Sequence, residues 1–490
     1  MLRIFLCLVA CVGYASLSAA AEPPAPPREF RGVWVASVGS MDWPSKPGLS
    51  TAQQQAELRA ILDCTARLKF NVVILQVRPM ADALYASKLE PWSEYLTGTL
   101  GKAPEPFYDP LTFAVREAHA RGLQLHAWFN PFRARHPSAR SAIPANHIIK
   151  RRPDLAKRYG THYWLNPTHP DVQKHSLAVI LDVVRRYEID GVHIDDYFYP
   201  YPEKDRAGKV IPFPDGDTWN VYRRQGGKLN RNDWRRAAID HFVENLYRAV
   251  KLAKPWVRVG ISPFGIWRPG HPPGIAGFDA YQEIYADSRH WLREGWCDYF
   301  APQLYWPIHQ TKQSYPKLLA WWVQQNIKGR HLCPGNYAGR VTGRKNGWPA
   351  REIVEQIKLT RREQGTAGNI QFSMHALLHN TGGVADAIRT AYKEPALLPA
   401  MPWRKRSAPA RPAASLKDQG GRRVLTVRPA GQTVRLYVIR SRNAGQWTMR
   451  IEPAGERARQ IRFAAKPEQI ILTAVDSAGN ESAPVTLSRR

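Results

Sequence analysis

Cysteine is scarce in this chain, five in 490 residues, and Cys7 and Cys11 both fall in an apolar amino-terminal stretch. The other three, Cys64, Cys297 and Cys333, have no close spacing. That excludes a disulfide framework and a cysteine-based zinc motif and leaves buried free thiols. HxH and HExxH pairs are absent, as are a Gly-rich phosphate loop after a first strand and the GxSxG elbow of serine hydrolases. A convergence of His126, His193 and Asp195 on a metal has no short-spaced ligand pair behind it, so neither a metal nor a cofactor is expected. Acidic side chains are in short supply too: 41 Asp+Glu stand against 70 Lys+Arg, a formal net charge of +29.

The amino terminus reads MLRIFLCLVACVGYASLSAAAEPPAPP. One arginine, a short apolar run and then small residues describe a secretory signal rather than a membrane span. Cleavage near Ser18 to Ala21 is one reading. Lipidation at Cys11, after the box that starts at Leu8, is the other, and only that reading ties the protein to a membrane. Both expect export to the periplasm or cell envelope. A basic exported chain meets wall glycans and anionic polymers there, and nucleic acid is not an expected partner.

Aromatic side chains are plentiful, 17 Trp and 20 Tyr, enough for a sizeable core with rings to spare for stacking on sugars. Between Phe30 and about residue 395, near-continuous apolar runs alternate with segments of 3.6-residue periodicity. FRGVWVAS, FNVVILQVRP, LQLHAWFNPF, IDGVHIDDY, WVRVGISPFG, CDYFAPQLYW, GRHLCPGNYAG and GNIQFSMHAL read as strands, each followed by a helix. Eight strand–helix pairs in about 360 residues predict a closed (β/α)8 TIM barrel, an α/β fold. The later chain predicts short strands with turn residues between them, a small β-sandwich of fibronectin type III kind. The expected organisation is a signal peptide at 1–21, a linker at 22–29, the barrel at 30–395, a basic Pro-rich linker at 396–418 and the sandwich at 419–490. Residues 403–490 hold 18 Lys+Arg and 6 Asp+Glu, a net +12, which suits adhesion to an anionic envelope polymer.

Barrel enzymes place reacting groups at the carboxyl ends of the strands, and strand side chains alternate faces. In GVHIDD, Val192 and Ile194 suit the helix-covered face, so His193 and Asp195 point inward and Asp196 stands at the rim. Two adjacent acids at that position predict carboxylate chemistry. The same alternation turns Gln76 and Arg78 inward on the second strand, and His126, Trp128 and Asn130 on the third. It aligns Gln303 and Tyr305 on the sixth strand, with Trp306 beyond, and Gln371, Ser373 and His375 on the eighth.

FRGVWVAS, QVRPMADALY, HAWFNPFR, GVHIDDYFYP, YADSRHWLREGWCDYFAPQLYW and PGNYAG, in this order, resemble the glycosyl-hydrolase-like ten family of bacterial envelope proteins over about residues 29–390. The resemblance implies a TIM barrel acting on bacterial glycans, with envelope members linked to peptidoglycan strands already stripped of their stem peptides. It places Asp195 and Asp196 in the family's fourth-strand acidic motif. Arg78, Asp82 and Tyr85 fall in the second motif, His126 and Asn130 in the third, and Gln303, Tyr305 and Trp306 in the sixth. The DGxDxDxE pattern of chitinase-like barrels is also approached: Asp190 and Asp195 match it, while His193 and Tyr197 depart from it. Tyr197 stands where that pattern puts its proton donor. The second carboxylate is then Asp196, Asp82, Glu283 or Asp287. The expected function is an exported glycoside hydrolase cleaving a bacterial envelope glycan; the alternative is a catalytically idle glycan-binding barrel.

Overall fold

The computed structural model describes residues 22–404, 407–428, 434–455 and 457–488. The expected signal peptide and Cys11 lie outside the described residues.

Eight parallel strands form the barrel wall. They are β1 Phe30–Val35, β2 Val72–Arg78, β3 Gln124–Phe129, β4 Gly191–Ile194, β5 Arg258–Ile261 and β6 Tyr299–Phe300. β7 comes in two pieces, His331–Leu332 and Gly335–Asn336, and β8 is Gly368–Gln371. The ring closes at β7. Its first piece pairs with β6, its second with β8, and β8 pairs with β1. Pro334 in the gap has no N–H to give to a ladder, which explains the interruption.

Alternation sorts the strand side chains. Val33, Val35, Val73, Leu75, Val77, Leu125, Ala127, Val192, Ile194, Val259 and Ile261 join the core between strands and helices. Phe30, Trp34, Val72, Ile74, Trp128, Tyr299, Cys333 and Ile370 fill the barrel interior. Glycine makes room for the largest of these: a Cβ on Gly260 would stand 1.9 Å from the Tyr299 ring, and one on Gly191 2.5 Å from the His126 ring. β4 and β5 therefore carry glycine where their neighbours carry bulk.

The helices start where polar caps allow. Ser50 and Gln53 form a reciprocal capping box for the helix Thr51–Arg67, and Asp109 accepts from two N–H groups of Pro110–Ala120. One addition to the expected pattern follows β3, a three-stranded antiparallel patch of Arg133–Arg135, Ala156–Tyr159 and His162–Leu165. It builds one wall of the mouth.

The eighth strand corrects the parity reading. Ile370, not Gln371, faces the interior. Gln371 instead donates to Asn336 at 3.3 Å, and Asn336 bonds Gln356 of the helix Ala350–Arg362 at 2.7 Å. A satisfied polar network under a helix looks the same in sequence as an inward polar row.

The tail is a sandwich of three plus four antiparallel strands. Ala413–Gln419, Arg422–Arg428 and Arg459–Arg462 form one sheet; Gln446–Pro453, Val434–Asn443, Gln469–Asp476 and Val485–Ser488 form the other. Its first strand begins inside the stretch expected as linker. Nor is the tail loosely tethered, because it docks on the floor of the barrel, opposite the strand ends that carry the acids. Arg28 donates to Gly479 O at 2.7 Å, the buried Arg258 to Ala478 O at 3.3 Å, and Trp403 Nε1 to Asp298 at 2.9 Å.

Candidate active site

Asp195 and Asp196 stand at the carboxyl end of β4, each with about 5% of its surface exposed. The groups facing Asp195 are all N–H donors. Trp128 Nε1 reaches Oδ2 at 3.1 Å, Asn130 Nδ2 reaches both oxygens at 2.8 and 2.6 Å, and the Tyr197 N–H reaches Oδ1 at 3.3 Å. Asp196 accepts from Gln303 Nε2 at 3.0 Å and is bonded by the Tyr201 hydroxyl.

The orientation of Asn130 is forced from behind. The backbone N–H groups of Ser37 and Val38, just past β1, both donate to Gln76 Oε1 at 2.9 Å. Gln76 Nε2 must then face Asn130 Oδ1, 2.6 Å away, which turns Asn130 Nδ2 toward Asp195. Asp195 is thus set as an acceptor.

Burial, followed by the neighbouring Asp196 charge, pushes Asp195 up to about 7. Burial also raises Asp196, against the donors Tyr201 and Gln303. Two acids this close titrate as a pair, and burial favours keeping a proton on it. Hydrogen bonding decides where it sits. No partner of Asp195 can accept from a carboxylic acid, whereas the Tyr201 hydroxyl beside Asp196 can either donate or accept. That donor set favours the proton on Asp196 and the charge on Asp195.

Beneath the acids the interior is polar and closed. Trp34 Nε1 can only donate, and it donates to His193 Nε2 at 3.0 Å. His193 Nδ1 therefore carries the hydrogen shared with the Tyr299 hydroxyl at 2.9 Å, and Tyr299 in turn donates to His126 Nδ1 at 2.9 Å. Burial holds His126 down at about 3 and His193 well below its ordinary value, so both rings are neutral.

The structure brings together Asp195, Asp196, Trp128, Asn130 and Gln303, with Tyr305 and Trp306 half-buried on the sixth-strand side. Five other expected ligand contacts lie deeper. Arg78, Asp82, Tyr85, His126 and His193 have no exposed surface at all. Arg78 makes a two-pronged pair with Glu90 at 2.5 and 2.7 Å, and Glu90 also takes a bond from His175 at 2.9 Å. Asp82 accepts from the Met80 N–H at 2.9 Å, and burial raises it to about 7. The Tyr85 ring packs edge-on against Tyr187. None of the five has surface to offer a ligand, and Arg78 leaves the expected inner face: a bulge after Gln76 sets it level with Phe129, in the layer between strands and helices. Of the other acids weighed as partners, Asp287 caps the helix Ser288–Glu294 and accepts from Trp267 at 3.0 Å, and Glu283 lies exposed on the short helix Ala280–Glu283.

Sequence reasoning passed over two residues at the mouth. Tyr201 arrives on the loop after β4 with nothing in its surroundings to mark it. Arg133 stands three residues after Asn130, over the Tyr197 ring at 4.2 Å, near enough to both aspartates to lower their pKa values. The far wall is aromatic: Tyr305 stacks on Phe372 at 5.7 Å and meets Tyr337 at 5.0 Å, and Trp306 meets Phe264 edge-on. A separate cavity of about 1200 Å³ lies between the barrel floor and the tail, lined by Lys69, His119, Asp190 and Arg435 among others, and shares no residue with the mouth.

Comparison with known proteins bears on the family and the fold. The family model described as Glycosyl hydrolase-like 10 matches residues 29–343. The chain is 41% identical over 396 residues to a protein named Glycosyl hydrolase YngK of Bacillus subtilis (strain 168), covering 79% of this chain and 76% of that one. It is 37% identical over 331 residues to one named Glycosyl hydrolase DigH of Escherichia coli (strain K12), covering 62% and 73%. The catalytic domain of β-amylase from Paenibacillus polymyxa superposes with a TM-score of 0.51 at 12% identity, covering 75% of this chain and 98% of that one, a likeness of fold alone. With two coupled carboxylates at the mouth of a (β/α)8 barrel, the chain belongs to the glycosyl hydrolase-like 10 family and is a glycoside hydrolase.

Proposed function

We propose that this is an exported enzyme that cleaves glycosidic bonds in peptide-stripped peptidoglycan strands, with Asp196 as proton donor and Asp195 as the charge that steadies the cationic transition state. One observation carries the reading: two adjacent buried acids, both shifted toward the protonated form, placed at the carboxyl ends of the strands and fenced by sugar-sized rings. Protonation of the leaving oxygen and stabilisation of positive charge at the anomeric carbon are the two demands of glycoside hydrolysis. The half-buried Tyr305, Trp306 and Tyr337 suit the apolar faces of a polyhydroxylated chain. Purified protein incubated with amidase-treated peptidoglycan is expected to release soluble fragments with new reducing ends. Binding without release would favour the idle glycan-binding barrel instead.

The basic tail, with its +12, is proposed to hold the enzyme near anionic envelope polymer. Co-sedimentation of the whole chain with cell-wall sacculi should then fall with added salt, as the Debye length shrinks from about 10 Å at 0.1 M to about 3 Å at 1 M. Salt-insensitive binding would assign the holding to the mouth alone.

A further inference from the structure

Arg133 is an unusual cation for its position. It keeps about 3% of its surface exposed, yet among the described residues no carboxylate oxygen lies within 4.0 Å of it, unlike the buried Arg78 on Glu90 and Arg235 on Asp215. Its polar contacts are long: NH1 reaches Pro79 O at 3.3 Å and Asn130 Oδ1 at 3.5 Å. Its Nε has no partner. A buried guanidinium with unused donors is costly, and such groups are ordinarily paired.

The surroundings define what would complete it. The Tyr197 ring lies under the guanidinium at 4.2 Å. The rings of His136 and His162, 5.5 Å apart and each half-buried, frame the same wall. Burial, then the Arg133 charge, holds His136 down at about 4, and burial also lowers His162, so neither ring adds positive charge. Glu203, the nearby acid, is taken by His162 Nδ1 at 3.1 Å. Asp195 and Asp196 feel the Arg133 charge without forming an ion pair with it. Arg133 is therefore a cation with no carboxylate partner and its Nε unpaired, on the wall beside the acids, in a pocket of neutral aromatic rings.

We propose that Arg133 is a specificity residue that binds a carboxylate of the substrate, the lactyl carboxylate of a muramic-type sugar. This rests on the peptidoglycan reading above and explains its preference for stripped strands. In an intact strand the lactyl carbonyl is tied up as an amide to the stem peptide and has no charge. Hydrolysis of that amide frees a carboxylate on a short ether arm, and a planar carboxylate is the natural partner of a guanidinium fork. Binding there would also cancel the positive charge that lowers the pKa of Asp196, which favours the protonated acid at the moment it is needed.

The test compares two substrates in one preparation: stripped strands with free lactyl carboxylates, and the same strands with those carboxylates reduced to alcohols. For the unmodified enzyme, kcat/KM should favour the carboxylate form by about tenfold or more, mainly through KM, as expected for a lost charge-assisted contact. In Arg133→Gln the ratio should fall toward one, and Arg133→Lys should retain part of it. Because a ratio is read, a general loss of activity or of folded protein cancels. A ratio near one in the unmodified enzyme overturns the proposal, as does an unchanged ratio in Arg133→Gln. If Arg133→Gln does not fold, the unmodified ratio and the Lys variant decide. If neither strand is cleaved, the peptidoglycan reading itself fails and this proposal falls with it.

Discussion

Replacing Tyr201 by phenylalanine removes one hydroxyl from the mouth and leaves the ring where it packs, 5.0 Å from Phe278. That hydroxyl is bonded to Asp196 Oδ2. Its bond to the ionised carboxyl is charge-assisted and stronger than any bond to the neutral acid, so its loss must raise the pKa of Asp196. A lost bond to a charged group is worth about 1.5–3 kcal/mol, and one pKa unit about 1.4 kcal/mol, so the shift should be about one to two units upward. Gln303 still donates to Oδ1 at 3.0 Å and limits the change.

The pH profile of kcat/KM on stripped glycan, followed by new reducing ends, reads this directly. The alkaline limb reports the loss of the donor's proton, so in Tyr201→Phe it should move to higher pH by about one to two units. The acidic limb should barely move. An alkaline limb that stays in place, or moves down, would refute Asp196 as the proton donor and shift that role to Asp195.

Asp195→Asn should lower turnover by about a hundredfold or more with the melting temperature little changed, since the side chains are nearly isosteric; normal activity would remove Asp195 from the mechanism. Gln76→Glu keeps an acceptor for the Ser37 and Val38 N–H groups but has no N–H donor to give Asn130 Oδ1. The Asn130 amide should then turn over and activity drop by about tenfold or more, while full activity would show that the relay does not set Asp195. Arg78 holds Glu90 down at about 2 in the folded state, so that pair's stabilisation is present above the unfolded value near 4.5 and is lost as pH falls through about 2. Denaturant titrations of Glu90→Gln should accordingly show a stability deficit about 3 kcal/mol larger at pH 7 than at pH 2, and a deficit independent of pH would refute the assignment.

Which face a strand residue takes was legible on β3 and β4, where alternation runs unbroken, and failed at Arg78 and Gln371. His193 with Asp195, His126 with Trp128 and Asn130, and Gln76 point inward as their spacing implies, whereas a bulge after Gln76 sets Arg78 level with the helix-facing Phe129. How deep a residue lies was not legible, because depth depends on the stagger between strands. Trp128 sits level with Gln76 and His193, and His193 level with Gly260. That register drops His193 and His126 below any ligand and lifts Asp195 to the mouth. Arg78 and Asp82 resemble site residues in sequence for a similar reason. Glu90, the partner of Arg78, and Ser93, which bonds Asp82, lie some distance along the chain, and only the fold shows the two residues sealed. The antiparallel patch after β3, and with it the setting of Arg133, gave no period to detect: its strands are three or four residues long.

The two buried polar chains share a source. Both begin on or just past β1, one from the Trp34 indole and one from the Ser37 and Val38 backbone N–H groups, and each of these groups can only donate. Direction is therefore fixed at the start and passed along, through His193, Tyr299 and His126 in the floor and through Gln76 and Asn130 toward the acids. Without a directed start, a buried amide or imidazole has two orientations of similar energy, and the carboxylate it meets has no fixed charge state. With one, the second chain ends on Asp195 as a donor, which favours the charge there. Strand β1 carries no acid of its own, yet the hydrogen bonds that start there set the donors around Asp195.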